Sequence, residues 1–320
     1  MKFRTEVTLP KPPFSIDLTT NVLMLGSCFA EGVGEWMEKS MPTGHCLVNP
    51  FGVLYNPASI ATAIESLMEG EVPSSDDLFQ GRDGLWHSWM HSSAFSVATK
   101  MGCFSRIAEK FCPAAEMLKG PTVVCLTWGT TDVFRLADEG LIVGNCHKED
   151  SRRFYVEHLT VQDVVDFYRP IFSSLADFGS KVVITISPYR YVKGGLHQST
   201  LSKSILHLAA AQLEEEFPFV HYFPAYEIVV DELRDYRFYA PDMLHPSAQA
   251  VEFVWEHFRD WLFTPKLLEY AAERHALDLD REHRPINPDS KEAKRFLAEL
   301  AERERAFAEK WGEENTLRRS

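Results

Sequence analysis

The chain has 320 residues and 45% hydrophobic content, enough for one large domain or one domain with an appendage. A formal net charge of −13 favours solubility and argues against general binding to nucleic acid or an anionic membrane surface. The N-terminal stretch lacks an apolar leader core, no run approaches the ~20 apolar residues of a membrane span, and six cysteines without a CxxC pair read as reduced thiols, so a cytoplasmic location is expected.

The first apolar run, residues 22–25, ends on Gly26-Ser27-Cys28-Phe29-Ala30-Glu31 and leads into a helical segment. A second run covers 45–48 and is followed by Asn49-Pro50-Phe51-Gly52. Residues 72–120 hold scattered aromatics, three glycines, His87 and His91, and read as a long insertion. The two histidines are four apart, but Ser88 stands where an HExxH motif needs Glu, so no metal site is expected. A third run, 122–127, precedes Gly129-Thr130-Thr131-Asp132, and residues 140–158 form a second insertion carrying Gly144-Asn145-Cys146-His147-Lys148.

Residues 161–175 repeat apolar positions at helical spacing, with Pro170 as an expected kink. Runs at 181–187 and 219–223 flank an amphipathic stretch at 201–216. Asp242-Met243-Leu244-His245-Pro246 opens a last amphipathic stretch, 246–262, with Pro246 expected as its first helical residue. Near-continuous apolar runs alternating with helices predict a three-layer α/β/α doubly wound sheet of five mainly parallel strands. From Thr264 the chain becomes densely charged, breaks at Pro285 and Pro288, and predicts a helix from about Ser290 with Phe296, Leu297, Leu300, Phe307 and Trp311 on one face. The expected organisation is a main domain at 1–263 and a charged C-terminal helical extension at 264–320 that packs on it or on a partner chain.

Ser27, at a strand-to-helix junction, reads either as a nucleophile beside free helix N–H groups or as a helix N-cap. Asp242 and His245 read either as an orienting carboxylate with its general base or as turn residues on a loop. Cys28 is expected to face away from the Ser27 side chain and to pack. No Walker A or dinucleotide fingerprint occurs, so no cofactor is expected.

Residues 26–40, 49–52, 143–148, 231–239 and 242–247 together resemble the GSCFA family, similar to the SGNH/GDSL hydrolases, over roughly residues 2–262. The resemblance implies Ser27 as nucleophile and Asp242 with His245 as its DxxH block. It also implies oxyanion donors at the Ser27 N–H, at Gly52 and at an asparagine after the third strand. Thr131 stands at that third position, so Asn49 and Asn145 become candidates to replace it, each also readable as a turn residue. His147 reads equally as a substrate contact or as a core histidine.

The expected function is a serine esterase acting on O-acyl esters through an acyl-serine intermediate, with acetylated carbohydrates favoured by analogy with the superfold. An O-acyltransferase, or a binding or scaffolding protein that kept the fold without activity, is the alternative. The expected partners are a small-molecule or carbohydrate ester, no nucleic acid and no membrane, with oligomers forming through the C-terminal helix.

Overall fold

The computed structural model describes residues 4–283, 287, 288 and 290–312. Strand β1 (Asn21–Gly26) leads through helix α1 (Cys28–Ser40) to β2 (Cys46–Val48) and α2 (Pro57–Glu69). A hairpin of β3 (Phe79–Gln80) and β4 (Trp86–His87), then α3 (Lys100–Met117), precede β5 (Thr122–Trp128). Strands β6 (Asp132–Leu136), β7 (Ile142–Val143) and β8 (Phe154–His158) stand between β5 and α4 (Val161–Asp177). The chain continues through β9 (Lys181–Ile186), α5 (Leu196–Glu216), β10 (Val220–Tyr222) and the short α6 (Ala225–Glu227), which runs into a π-helical stretch, Ile228–Leu233. Helices α7 (Ala248–Leu262), α8 (Pro265–Glu282) and α9 (Lys291–Trp311) complete it.

All five runs expected as strands pair in one parallel sheet, in the order β10-β9-β5-β1-β2. Alternation along β1 separates two cores. Leu23 and Leu25 face a layer with α2, α3, α4 and α5, whereas Val22 and Met24 face one with α1, α7 and α8. All seven residues of β5 are buried, as expected of a strand covered on both faces. Within the first core, Trp128 Nε1 donates to the Tyr168 hydroxyl, which donates to Pro57 O, so three elements are tied without leaving a buried donor unpaired. The strand order reverses between β1 and β5, and a doubly wound sheet opens a crevice at that point beyond its carboxyl ends.

Several local expectations change. The segment 72–120 is not wholly an insertion: α3 buries Cys103, Ile107, Phe111, Ala114 and Ala115 and is a crossover helix into β5. Gly102, one of the three glycines of that segment, and Pro113 lie inside it. The segment 140–158 belongs to an antiparallel sheet, β7-β6-β8, whose two- to five-residue strands give little hydrophobic period. Helix α4 continues through Pro170, and α5 starts at Leu196, earlier than expected. Ser247 caps α7, so Pro246 is not its first helical residue; it bridges to Tyr239 instead.

Helices α8 and α9, the segment expected as an extension, pack into the core beside α1. Tyr270, Leu277, Leu300 and Phe307 share a core with Met37 and Met41, and the Arg274 guanidinium donates to Met41 O. Leu297, expected on that face, is 49% exposed. Pro285 and residues 313–320 lie outside the described residues. No described helix is long and apolar enough to cross a membrane.

Candidate active site

Gly26 ends β1 at φ 155°, and a Cβ there would lie 2.4 Å from Thr127 O. Glycine therefore lets β1 turn tightly against β5 at the reversal of strand order. Ser27 follows as the N-cap of α1, with φ −70° and ψ 175°. That geometry suits a capping hydroxyl, yet the side chain caps nothing. By contrast Asn56, Thr99, Thr160, Ser247, Thr264 and Ser290 each accept from a backbone N–H of their helix. Ser27 is fully buried and its Oγ has no hydrogen-bond partner. A buried hydroxyl left unpaired costs about 1–3 kcal/mol, so the local fold is stabler without it.

Asn49 is bonded to the turn that carries Ser27. It sits at φ 45° in the loop after β2, buried, and its Oδ1 accepts from the Gly26 N–H at 2.9 Å. This bond fixes the amide's orientation, because a donor facing that N–H would repel it. The Nδ2 group is consequently turned away from Gly26, and it too is buried without a partner. Gly52 N–H, in contrast, is committed to Asn49 O at 2.7 Å. Ser27 N–H makes only a long contact, 3.4 Å, to Thr127 O.

The loop after β5 closes over the same point. Gly129 and Thr130 donate to Tyr55 O at 2.8 and 3.0 Å, and a Cβ on Gly129 would lie 3.7 Å from Ser27 Cβ. Thr131 is fully buried, its N–H held by Ser202 Oγ, and its Oγ1 has no partner. Cys28 is half-buried, and burial raises its thiol pKa, which makes it a poor thiolate.

Asp242 and His245 form a tight pair. His245 Nδ1 meets Asp242 Oδ2 at 2.5 Å, while Asp242 Oδ1 accepts the Leu244 and His245 N–H groups at 2.9 and 3.0 Å. Those bonds, the imidazole's foremost, hold the Asp242 carboxyl down to about 2. Met243, at φ 60°, turns the loop between them. The Tyr189 ring lies 4.2 Å from the His245 ring, centroid to centroid.

Both halves lie on the carboxyl edge. The first turns of α1 and α7 touch, since a Cβ on Gly32 would lie 3.1 Å from Val251 Cγ1. The loop after β9 joins the Asp–His loop, since Arg190 N–H donates to Leu244 O at 3.1 Å, and burial, then the Cys28 thiol and the Asp242 carboxylate, raises the Tyr189 pKa. No hydrogen bond joins Ser27 to His245, because Ser27 Oγ has no partner.

Asn145 and His147 do other work. Asn145 Oδ1 accepts the His147 N–H at 2.8 Å, an Asx turn that carries His147 to φ 47°. His147 Nε2 meets Ser88 O at 2.8 Å and its ring lies 4.3 Å from that of His87. Burial lowers its pKa. The string thus grips the loop at 88–93, from which Ser92 N–H reaches Phe51 O and His91 stacks on Phe51 at 4.5 Å. It supports the Asn49–Gly52 turn from behind. His87 is spent on Ser96 and Asp83.

One residue escaped the sequence reading. Lys203 in α5 is buried and donates to Gly129 O and Ser187 O, each at 2.6 Å, tying together the carboxyl ends of β5 and β9. Burial lowers its pKa to about 7, against the attraction of the Cys28 thiol. The signal was available: Lys203 falls on the buried stripe with Leu206, Ala210 and Leu213.

The model of the GSCFA family matches residues 21–258 of the 320. No curated protein matches the chain.

Proposed function

The chain belongs to the GSCFA family, and from that premise we propose that it is a serine acyl hydrolase of SGNH type, acting on O-acyl esters through an acyl-Ser27 intermediate. The observation that carries this reading is the unspent, buried Ser27 hydroxyl at the strand-order reversal, on the same edge as the Asp242–His245 pair. Stability does not account for leaving that hydroxyl unpaired; chemistry does.

In this mechanism His245 Nε2 takes the Ser27 proton as Oγ attacks the acyl carbon, and Asp242 holds the other ring nitrogen protonated. Negative charge on the carbonyl oxygen is met by Asn49 Nδ2 and by the N–H groups opening α1. The ester C–O bond breaks, and His245 returns its proton to the leaving alcohol. Water, or a sugar hydroxyl in the transferase variant, then gives a proton to His245 and attacks the acyl carbon; the acyl–Oγ bond breaks, and His245 returns that proton to Ser27 Oγ. Acetylated carbohydrate is the favoured substrate class by analogy alone. Gly52 and Thr131 are secondary in this scheme, Gly52 because its N–H is committed, and Asn145 and His147 act as supports. The catalytic unit is assigned to residues 1–263 and the remainder to a packing role, in keeping with a family match that ends at 258.

One observation favours the rival, a binding protein on the same fold. Ser27 is fully covered, whereas the His245 side chain is 44% exposed, so a substrate reaches Ser27 only after neighbouring side chains move. Turnover of p-nitrophenyl esters of graded chain length by the wild type and by Ser27→Ala decides. Turnover that Ser27→Ala removes supports the esterase. Folded wild-type protein inert on every ester favours the rival, and loss in Cys28→Ala but not Ser27→Ala makes this a thiol enzyme.

A further inference from the structure

Tyr189 also lines a cavity of about 320 Å³. Its walls come from the loop after β9, the start of α5, and the turn of α6 into the π-helical stretch. Arg190 and Lys203 line it, together with Ser199, Tyr226 and Tyr239, and the lining contains no Asp or Glu. In a chain of net charge −13, two cations and no anion is an unexpected local balance. Neither cation has an ion-pair partner among the described residues: Lys203 is held by two carbonyls, and Arg190 Nη1 donates to the Tyr236 hydroxyl and Met243 O, both neutral.

We propose that this cavity binds the carboxylate of a small anionic ester, with Arg190 and Lys203 as its recognition pair. The ester part rests on the esterase reading above; the anion-binding part stands on the cavity alone. Arg190 is preorganised for the task. Its guanidinium lies over the Tyr236 and Tyr239 rings, and Nε and Nη2 are spent on no acceptor among the described residues. A planar fork of two N–H donors matches a carboxylate. Lys203 has two of its three ammonium hydrogens on carbonyls, which leaves one for a ligand. Burial without a counter-ion destabilises its charge, and a bound anion restores it. Glu227 and Asp231 stand behind the lining, where both act on Tyr226, but neither lines the cavity: Glu227 accepts from the Tyr222 hydroxyl, and Asp231 lines a separate cleft with Arg4.

The cavity also fixes where the anion sits in the reaction. Tyr189 forms one wall, and its ring lies tilted against that of His245. A carboxylate held there is one aromatic ring away from the base, a spacing suited to half-esters of short dicarboxylic acids or O-acyl derivatives of small hydroxy acids. Leu196 and Val230 in the lining accommodate the short apolar spacer.

Calorimetry on full-length Ser27→Ala protein, which cannot turn substrate over, tests the site with monomethyl glutarate against dimethyl glutarate. The monoanion is expected to bind roughly tenfold to a hundredfold tighter, as charge-assisted hydrogen bonds warrant. Adding Arg190→Gln or Lys203→Met should erase that preference, and Arg190→Lys should restore part of it. Arg190 is half-buried, so its variant carries the test if the buried Lys203→Met fails to fold. Equal affinity for the two esters, or a preference that survives Arg190→Gln, overturns the proposal. Wild-type turnover of the two glutarates separates the layers. Anion preference without turnover sinks the esterase and leaves the site, while turnover without anion preference sinks the site alone.

Discussion

Two serines open helices on the same edge of the sheet in almost the same backbone conformation, Ser27 at φ −70°, ψ 175° and Ser247 at φ −68°, ψ 162°. Ser247 uses its hydroxyl as an N-cap should, accepting from the Ala250 N–H. Ser27, more deeply buried, accepts nothing. Backbone conformation therefore does not decide what a serine at this junction does; the neighbours do. Around Ser247 the chain is satisfied, whereas around Ser27 a second buried donor, Asn49 Nδ2, is also left open. The difference separates a residue kept for stability from one kept at stability's expense.

The sharpest test replaces each serine by alanine. Ser27→Ala should lower ester turnover by about 10⁴-fold or more, yet hold or raise the melting temperature, since no hydrogen bond is lost. A drop in melting temperature comparable to that of Ser247→Ala would make Ser27 structural and break the comparison. Next in size is Asn49→Asp, which keeps an acceptor for the Gly26 N–H and removes the free donor. Turnover should fall by about 10²–10³-fold with the fold intact. A loss under about threefold would remove Asn49 from the oxyanion site, because even one such donor is worth far more.

A smaller effect concerns Lys203 and pH. Its folded pKa, about 7, lies below the ordinary lysine value of 10.5. Between these values the unfolded chain binds more protons than the fold, so this group makes stability rise with pH through that window, by at most about 1.4 kcal/mol per unit. Lys203→Met should flatten the rise in melting temperature between pH 7 and pH 10; an unchanged slope would show that other groups produce it. Smallest is Ser247→Ala, which should cost ~1 kcal/mol of stability while turnover stays within a few-fold. A larger catalytic loss would mean that the cap also places His245.

The central sheet was legible because its strands are buried on both faces, and β5 and β9 therefore read as unbroken apolar runs. Strand β8 escaped because it is short and largely exposed, and β6 because Asp132 and Arg135 interrupt a run of only five residues. Helix α3 was masked by Gly102 and Pro113, whose local propensities its packing overrides. In the candidate site, Ser27 and the Asp242–His245 pair could be named from local pattern and family resemblance. The commitment of Gly52 N–H and the openness of Asn49 Nδ2 could not, because each depends on a bond made across the loop. Lys203 was visible as a charge on an apolar stripe, but its partners at the ends of β5 and β9 lie far along the chain.

The order of strands in the sheet also governs when the protein comes to life. Strand β1 lies between β2 and β5, and β5 arrives only after α2, the β3–β4 hairpin and α3 have been made. As the chain leaves the ribosome, β1 can pair with β2 early but stays half-edged until that long stretch has emerged. Pairings so distant along the chain fold slowly. The helix carrying Ser27 is clamped later still, when α7 and then α8 reach it. A growing chain thus carries its serine from the start yet has no imidazole to partner it until almost the whole sheet has closed. On the proposed function, ester-cleaving activity should therefore appear abruptly once β10 and the Asp242–His245 loop have emerged, which makes its onset a direct clock for closure of the sheet.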